Sequence, residues 1–449
     1  MHFLNRKERL ILLVGDMLFF MLSLWITLVV RYGALPSLDL FSLHWVPFFF
    51  LTLLFIAVFF IAGLYEKHTL LLQNHLPKTI LKAELVGSAL AVSFFYLAPW
   101  TGIAPKRNLF IYLLISFVLI TLWRMYGYAF VGTRKKQKAA LIGSGNEMQE
   151  LLDEVNNNSR YDLKFVSSID LNHISQVDLK EEVTNRIYSK DISIIAIDLR
   201  NEKVLPLLPH LYTLIFSSIR FIEMHKIYED IFDRIPLSLV GYSWFLENIS
   251  LAPKSAYDFL KRVMDISISF LLGVVSLIVY PFVYVAIKLD DGGKVFSIQE
   301  RVGRNNKLIK LYKFRTMQIA NDGGRWQEGV VNQTTRVGSF LRQSRIDELP
   351  QLWNVLFGDI SLIGPRPEFP EPVSLYEKQV PYYGIRHLIK PGLSGWAQIY
   401  GEHPHHGTDV AKTKNKLSYD LYYIKNRSVF LDLKIALQTI KTLLLRSGI

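Results

Sequence analysis

Four apolar runs crowd the first third of the chain, near Leu10 to Val30, Trp45 to Leu64, Ile80 to Pro99 and Leu109 to Val131. Each matches the roughly 20 residues a helix needs to cross a hydrocarbon layer. Half of the 449 residues are hydrophobic and the mean hydropathy is +0.22, too apolar for an ordinary soluble enzyme. No small-residue cleavage site follows the first run, so it reads as a spanning helix rather than a secretory leader. Arg6, Lys7 and Arg9 precede the first run, Lys67, Lys78 and Lys82 separate the second from the third, and Arg134, Lys135, Lys136 and Lys138 follow the fourth. By the positive-inside rule, the N-terminus and everything after residue 132 are cytoplasmic. Lys106 and Arg107 argue the other way and are outweighed by the four cations after the fourth run. Arg124, inside that run, is read as snorkelling or packing between helices rather than as a functional charge.

There is no cysteine, which removes disulfides, thiolate metal sites and a cysteine nucleophile. The formal charge of +12 calls for anionic partners: lipid head groups, nucleotides or nucleic acid. Nucleic acid ranks last, because no helix-turn-helix pattern is found and no basic stripe interleaved with aromatics lies away from the membrane flanks.

From Gln137 to Pro236 the texture is that of an α/β domain. Strands are expected over Ala139–Ile142, Leu163–Ser167, Ile192–Ile197 and Ile219–Ile222, with a helix over Glu147–Val155, which predicts a small parallel sheet. The first strand runs into Gly143-Ser-Gly145, half of a dinucleotide fingerprint. Met148 takes the place of the third glycine, and Asp170 is the acid nearest the end of the second strand. A tight strand-to-helix turn in a ligand-free regulatory or assembly domain is the preferred reading over a cofactor site.

Ile266 to Ile287 is a run of 22 residues without a formal charge, interrupted by Pro281. Lys261 and Arg262 precede it, and Lys288, Arg301, Arg304 and Lys307 follow, so both flanks look cytoplasmic. A helix that enters and leaves by one face, broken near Tyr280-Pro281, is the expectation. A fifth span is the competing reading.

The chemistry concentrates in Arg342 to Pro367, RQSRIDELPQLWNVLFGDISLIGPRP. Asp347 and Glu348 stand between Arg342, Arg345 and Arg366. An acid can attack phosphorus or hold a divalent cation while guanidinium groups neutralise phosphate oxygens. The plain alternative is a helix start with its acids on the macrodipole. Around this stretch, a hairpin from Val295 to Phe314 presents Lys313 and Arg315, Gly323-Gly324 follows, and Asp432 to Leu445 has a pattern suited to a membrane surface.

The segments QERVG (Gln299 to Gly303), YKFRTM (Tyr312 to Met317), DELPQLWNVLFGDISLIGPRP (Asp347 to Pro367) and KPGLSGWAQIYG (Lys390 to Gly401) occur in that order. Together they resemble the bacterial sugar transferases, the polyprenyl-phosphate hexose-1-phosphate transferases that begin exopolysaccharide and O-antigen synthesis. The resemblance covers residues 254 to 449, and the upstream half is similar to the long form of that family. It implies a membrane protein with an α-helical transmembrane bundle, an α/β Rossmann-like domain and a mostly α monotopic catalytic domain with a re-entrant helix. The domains implied are 1–134, 135–250 and 254–449, with the re-entrant helix over 258–289. The implied reaction transfers a sugar-1-phosphate from a UDP-sugar to undecaprenyl phosphate with release of UMP, using Mg2+, at the cytoplasmic face of a bacterial inner membrane. Carried over by motif, Asp347 is similar to the family's nucleophile and Glu348 to its partner, both toward metal. Lys313, Arg315, Arg342 and Arg366 are assigned to substrate phosphate. A homodimer through the α/β domain is compatible with this reading.

His403, His405 and His406 read as a solvated loop, having no carboxylate at ligand spacing. Tyr257 with Lys261, and Tyr284 with Lys288, match a reductase dyad only by chance, since no glycine-rich turn precedes them. Two other functions stay open: a membrane-bound nucleotide-sugar-modifying enzyme, which needs a complete dinucleotide fingerprint, and a non-catalytic assembly regulator, which needs no Asp347, Glu348 and Arg366 together.

Overall fold

The computed structural model describes residues 6–65, 76–97, 106–131, 136–158, 161, 163–172, 191–217, 219–250, 254–318, 333–401 and 409–445, which fall into two units, Met1–Ile231 and Phe232–Ile449. Lys67, Arg134, Lys135, Gly323, Gly324 and the three loop histidines lie outside the described residues.

The first unit begins with four helices, α1 (Arg6–Tyr32), α2 (Leu38–Ile61), α3 (Leu76–Leu97) and α4 (Lys106–Val131). Three segments, Leu10–Tyr32, Leu38–Ile61 and Asn108–Tyr126, are long and apolar enough to cross a membrane. The expected third span is helical but is not among them. Its first turns carry Lys78, Lys82 and Glu84. Phe20, Leu24, Phe55 and Phe59 are buried between the helices, while Leu18, Leu22, Leu114 and Leu122 are exposed. Apolar residues both inside and outside are what a lipid solvent permits. Arg124 faces inward: its Nε donates to Asp16 Oδ1 at 3.0 Å and its Nη1 to the Leu64 carbonyl at 2.8 Å, while Tyr65 donates to Asp16. The helix-packing half of the expectation for Arg124 therefore holds and the snorkelling half does not. A guanidinium in an apolar bundle needs every donor satisfied, and Asp16 is its counter-charge.

The α/β part holds β1 (Gln137–Gly143), α5 (Asn146–Asn157), β2 (Leu163–Asp170), β3 (Ile194–Ile197), α6 (Leu208–Thr213), β4 (Arg220–Glu223) and α7 (Met224–Phe232). The four strands form one parallel sheet in the order β2-β1-β3-β4, as the alternation of elements predicts. All of β3 and most of β1 are buried, which fits a parallel sheet covered on both faces. Gly145 caps α5 at φ 88°, a left-handed conformation that favours glycine. Met148 is buried.

The second unit opens with α8 (Tyr242–Asn248), followed by α9 (Ser255–Ser276) and α10 (Tyr280–Asp290). These last two meet at 55° with Pro281 in the first turn of α10, so the break lies where the proline predicts it. The pair is inside-out. Asp265, Ser269, Gly273 and Ser276 face the protein, while Phe259, Phe270, Leu271, Ile278 and Phe282 are exposed. Next come the antiparallel hairpin β5 (Phe296–Val302) and β6 (Leu308–Phe314), then α11 (Arg336–Gln343), α12 (Gln351–Phe357), β7 (Ser361–Ile363), α13 (Pro370–Gln379), β8 (Gly392–Ser394), α14 (Trp396–Tyr400), α15 (Val410–Asn426) and α16 (Val429–Leu445). Ile235, Trp244 and Phe245 are buried in one core with Tyr376, Tyr383, Trp396, Leu421, Tyr423 and Ile435. The Trp396 indole donates to the Asp233 carbonyl at 2.9 Å and stacks on Tyr422. Residues 232–249 thus complete the core of the second unit.

Candidate active site

The two acids sit at the junction of α11 and α12. Thr335 caps α11, its Oγ1 accepting from Gly338 N at 2.9 Å. A Cβ on Gly338 would stand 2.1 Å from the Thr316 carbonyl, so only glycine lets α11 press against the end of β6. After Ser344, Arg345 takes a left-handed conformation (φ 57°), and one tight 3-10 turn follows over Ile346–Glu348. Pro350 starts α12, and Gly358 (φ 93°) ends it. The acids therefore ride a strained turn rather than the regular helix the pattern suggested. With three residues per turn, neighbours diverge by about 120°.

That divergence separates their environments. Glu348 Oε1 lies 2.9 Å from Lys313 Nζ, 3.3 Å from Arg366 Nη2 and 3.7 Å from Arg345 Nη1. Burial works to raise the Glu348 pKa, but Lys313 first, then Arg366 and Arg345, outweigh it and hold the group well below the usual carboxylate range. Asp347 is 7% exposed, with Oδ2 3.9 Å from Lys313 and Oδ1 buried without a hydrogen-bond partner. Burial, with the Glu348 charge beside it, pushes Asp347 above its ordinary value despite the pull of Lys313, Arg342 and Arg345. Burial also lowers the pKa of Lys313.

A cavity of about 400 Å³ opens over this turn. Among the described residues its lining holds six cationic side chains, Arg301, Lys313, Arg315, Arg342, Arg345 and Arg366, against the two acids. Excess positive charge around one unpartnered carboxylate oxygen suits a polyanionic ligand. All six residues assigned from sequence line this cavity, but in different ways. Arg342 Nε donates to Thr316 Oγ1 at 2.9 Å and the residue is exposed. Arg315 is engaged: it forks onto Asp291 and donates to the carbonyls of Lys294 and Met317 at 2.6 and 2.9 Å. Its side chain is 3% exposed.

Several positions were not singled out from sequence. Arg301 lies 3.4 Å from the centroid of the Phe369 ring and donates to the Pro367 carbonyl. It belongs to the Gln-Glu-Arg-Val-Gly segment, and in the sequence it counted only as a cation flanking the apolar run. Asn354 is fully buried; it accepts from Tyr312 N at 3.1 Å and donates to the Lys310 carbonyl at 2.8 Å, locking β6, and with it Lys313, to α12. Arg386, 3% exposed, donates to the Arg366 carbonyl at 3.0 Å and pairs with Asp420 at 2.9 Å, fixing the Gly-Pro-Arg-Pro turn from beneath. The turn also rests on β8. Gly364 N donates to the Ser394 carbonyl and Gly392 N to the Pro365 carbonyl, and a Cβ on Gly392 would lie 2.0 Å from Gly364 N. The Lys-Pro-Gly and Gly-Pro-Arg-Pro motifs are one backbone junction.

The Tyr257 and Lys261 pair is taken up by packing, both donating to Asp432 on α16 at 3.0 and 2.9 Å. Tyr284 and Lys288 lie on α10, and the Lys288 amine reaches the carbonyls of Gly292 and Gly293. Among the described residues no three His, Asp or Glu side chains form a metal cluster.

Residues 256–446 match the family described as bacterial sugar transferase. A UDP-N-acetylgalactosamine-undecaprenyl-phosphate N-acetylgalactosaminephosphotransferase of Aeromonas hydrophila is 42% identical over 207 residues, 44% of this chain and 47% of that protein. The UDP-glucose:undecaprenyl-phosphate glucose-1-phosphate transferase of Escherichia coli (strain K12) is 37% identical over 183 residues, 40% of this chain and 39% of that protein. The exopolysaccharide production protein PSS of Rhizobium leguminosarum bv. phaseoli is 41% identical over 196 residues, 42% of this chain but 96% of that protein. The chain thus spans less than half the length of the Aeromonas and Escherichia relatives, and the family match lies within the second unit.

Proposed function

The chain belongs to the bacterial sugar transferase family, and from that premise we propose that it transfers a sugar-1-phosphate from a UDP-sugar to undecaprenyl phosphate, releasing UMP. The observation that carries this reading is the contrast within the dyad: Glu348 is consumed by cations, whereas Asp347 keeps an unpartnered oxygen in a basic cavity.

In the first step the Asp347 carboxylate attacks the sugar-linked phosphorus. A phosphorus–oxygen bond forms to Asp347, the bond to the bridging oxygen breaks, and that oxygen leaves with UMP. In the second step an oxygen of the lipid phosphate attacks the same phosphorus and returns the carboxylate. Lys313 and Arg366 hold Glu348 ionised, and Glu348 in turn aims them at the phosphates. Arg342 and Arg345 complete the anion cradle. Arg315, saturated by Asp291, acts by holding the end of β6 in place.

The donor set fits Mg2+. That ion takes one or two carboxylates with phosphate oxygens and waters, and Asp347 offers a buried oxygen that nothing in the protein satisfies. Asp347 would hold the ion together with the substrate diphosphate, with Glu348 beside it. Bound there, Mg2+ supplies positive charge against the leaving phosphate.

The bent pair α9–α10 is read as a re-entrant hairpin, because its exposed face is apolar and its protein face is polar. The helices α1–α4 anchor the chain in a bacterial inner membrane, with the sheet as a Rossmann-like cytoplasmic domain through which a homodimer would form. The catalytic part then begins near Phe232, since Trp244 lies in its core. Incubating the full chain and undecaprenyl phosphate with UDP-glucose, UDP-galactose and UDP-N-acetyl sugars tests the reaction. UMP release with at least one is expected, and silence with all of them refutes it. A cysteine at position 440 that reacts with an impermeant label in intact cells would overturn the hairpin.

A further inference from the structure

A second cavity, of about 350 Å³, lies where the first turns of α9 meet β7 and the start of β8, and it shares no lining residue with the Asp347 cavity. Two of its cations are committed: Lys261 pairs with Asp432, and Arg262 donates to the carbonyls of Val355 and Leu356 at the end of α12. Three others, Arg304, Lys390 and Arg427, have no ion-pair partner among the described residues. Lys390 is drawn close to two of the other cations, for a Cβ on Gly358 would meet Arg262 Nη2 and Lys390 Nζ at 3.4 Å each, and Arg262 and Arg304 both act on the Lys390 amine. Two acids also line the cavity, Asp258 accepting from Lys254 N and Asp265 from Leu362 N and drawing on Lys390, so its five cations leave an excess of positive charge. Ser361 lines the cavity at 1% exposure, and its Oγ has no hydrogen-bond partner. A buried hydroxyl left unsatisfied is costly unless a ligand or water meets it.

We propose that this cavity binds the phosphate headgroup of an anionic membrane lipid, as an anion site separate from the Asp347 cavity. Ser361 donates to a phosphate oxygen, and Arg304, Lys390 and Arg427 supply the charge. The lipid, rather than a free phosphate, is indicated by what adjoins the cations. Phe259, Leu260 and Val263 on α9 and Phe430 and Leu433 on α16 are exposed beside the cavity's own elements, an arrangement that places the phosphate at headgroup depth with acyl chains alongside.

The test is the thermal midpoint of the full chain in neutral detergent with dioctanoylphosphatidylglycerol, dioctanoylphosphatidylcholine or inorganic phosphate. A rise of about 5 °C is expected with the first alone at saturation. It should vanish in Arg304→Gln/Arg427→Gln, shrink in Ser361→Ala, and persist in Arg366→Gln, each variant compared with its own lipid-free midpoint. Neither arginine has an ion-pair partner among the described residues, so the double variant is expected to fold. A rise that survives the double variant, an equal rise with phosphatidylcholine, or loss of the effect in Arg366→Gln overturns the site. Equal protection by inorganic phosphate overturns the lipid as its ligand. The readout is independent of turnover, so it stands apart from the transfer reaction.

Discussion

Lys313 Nζ stands 2.9 Å from Glu348 Oε1 and 1 Å farther, at 3.9 Å, from Asp347 Oδ2, and this asymmetry divides the work of two adjacent acids. Glu348 becomes part of a charge network, while Asp347 keeps a free oxygen. The same lysine draws both carboxylates toward ionisation, which burial opposes.

Substituting each acid separates those duties. Asp347→Asn should lower UMP release by about 10³-fold or more, as for loss of a nucleophile, with the thermal midpoint barely changed. Glu348→Gln strands Lys313 and Arg366 without their counter-charge, and should cost about 3 kcal/mol of stability as well as activity. Melting curves alongside turnover distinguish the two, and wild-type turnover by Asp347→Asn would sink the mechanism.

The pH dependence follows from opposite shifts. Asp347 is raised, so the fold holds its proton more tightly than the unfolded chain, a contribution fully present below the unfolded pKa and lost as pH rises through the folded value. Glu348 is lowered, so its contribution is present above its unfolded pKa and disappears only as pH falls through its depressed folded value. In the proposed mechanism turnover needs ionised Asp347, and its acid limb should lie above the ordinary value of 3.8. Lys313→Met removes the strongest influence favouring ionisation and should move that limb to higher pH. A limb that stays in place contradicts the assignment.

Chelation addresses the metal. EDTA should abolish UMP release, and added Mg2+ should restore it. Isothermal titration of Mg2+ with a UDP-sugar present should show heat for the wild type and none for Asp347→Asn, because Asp347 carries the unpartnered oxygen. Full activity in EDTA would remove the ion from the reaction.

Gly392→Ala probes the junction beneath Arg366. The new methyl would lie 2.0 Å from Gly364 N and 2.6 Å from the Ile363 carbonyl carbon, and backbone cannot swing aside as a side chain can. Overpacking there should cost about 3 kcal/mol, read as a lowered midpoint with activity lost in parallel.

In the helical bundle, Asp16→Leu and Arg124→Met should each destabilise by about 3 kcal/mol, since either leaves a buried charge alone. The double variant should recover most of the loss. A thermal double-mutant cycle in detergent measures this, and additive losses would mean the pair is not coupled.

Much of the architecture was legible because it follows from local chemistry. Runs of apolar residues announced the helices, alternation announced the parallel sheet, and Pro281 marked the break between α9 and α10. The Asp-Glu pair among arginines pointed at the cavity, since a cluster of charge in an apolar chain has few other uses. Other features left no local trace. Nothing near Arg124 names Asp16, which lies over a hundred positions away, and nothing near Trp244 says that it completes a core with Trp396.

The sequence by itself determined which segments are apolar, where chain direction must change and which side chains carry charge, because these depend on composition and on the geometry of a few residues. The tertiary structure alone decided which acid is free. Asp347 and Glu348 are neighbours with the same charge, and only the approach of β6 and the Gly-Pro-Arg-Pro turn brings Lys313 and Arg366 within hydrogen-bond distance of Glu348 while leaving Lys313 3.9 Å from Asp347. Electrostatic energy depends on distances of a few ångströms between remote parts of the chain, and those distances are set by packing.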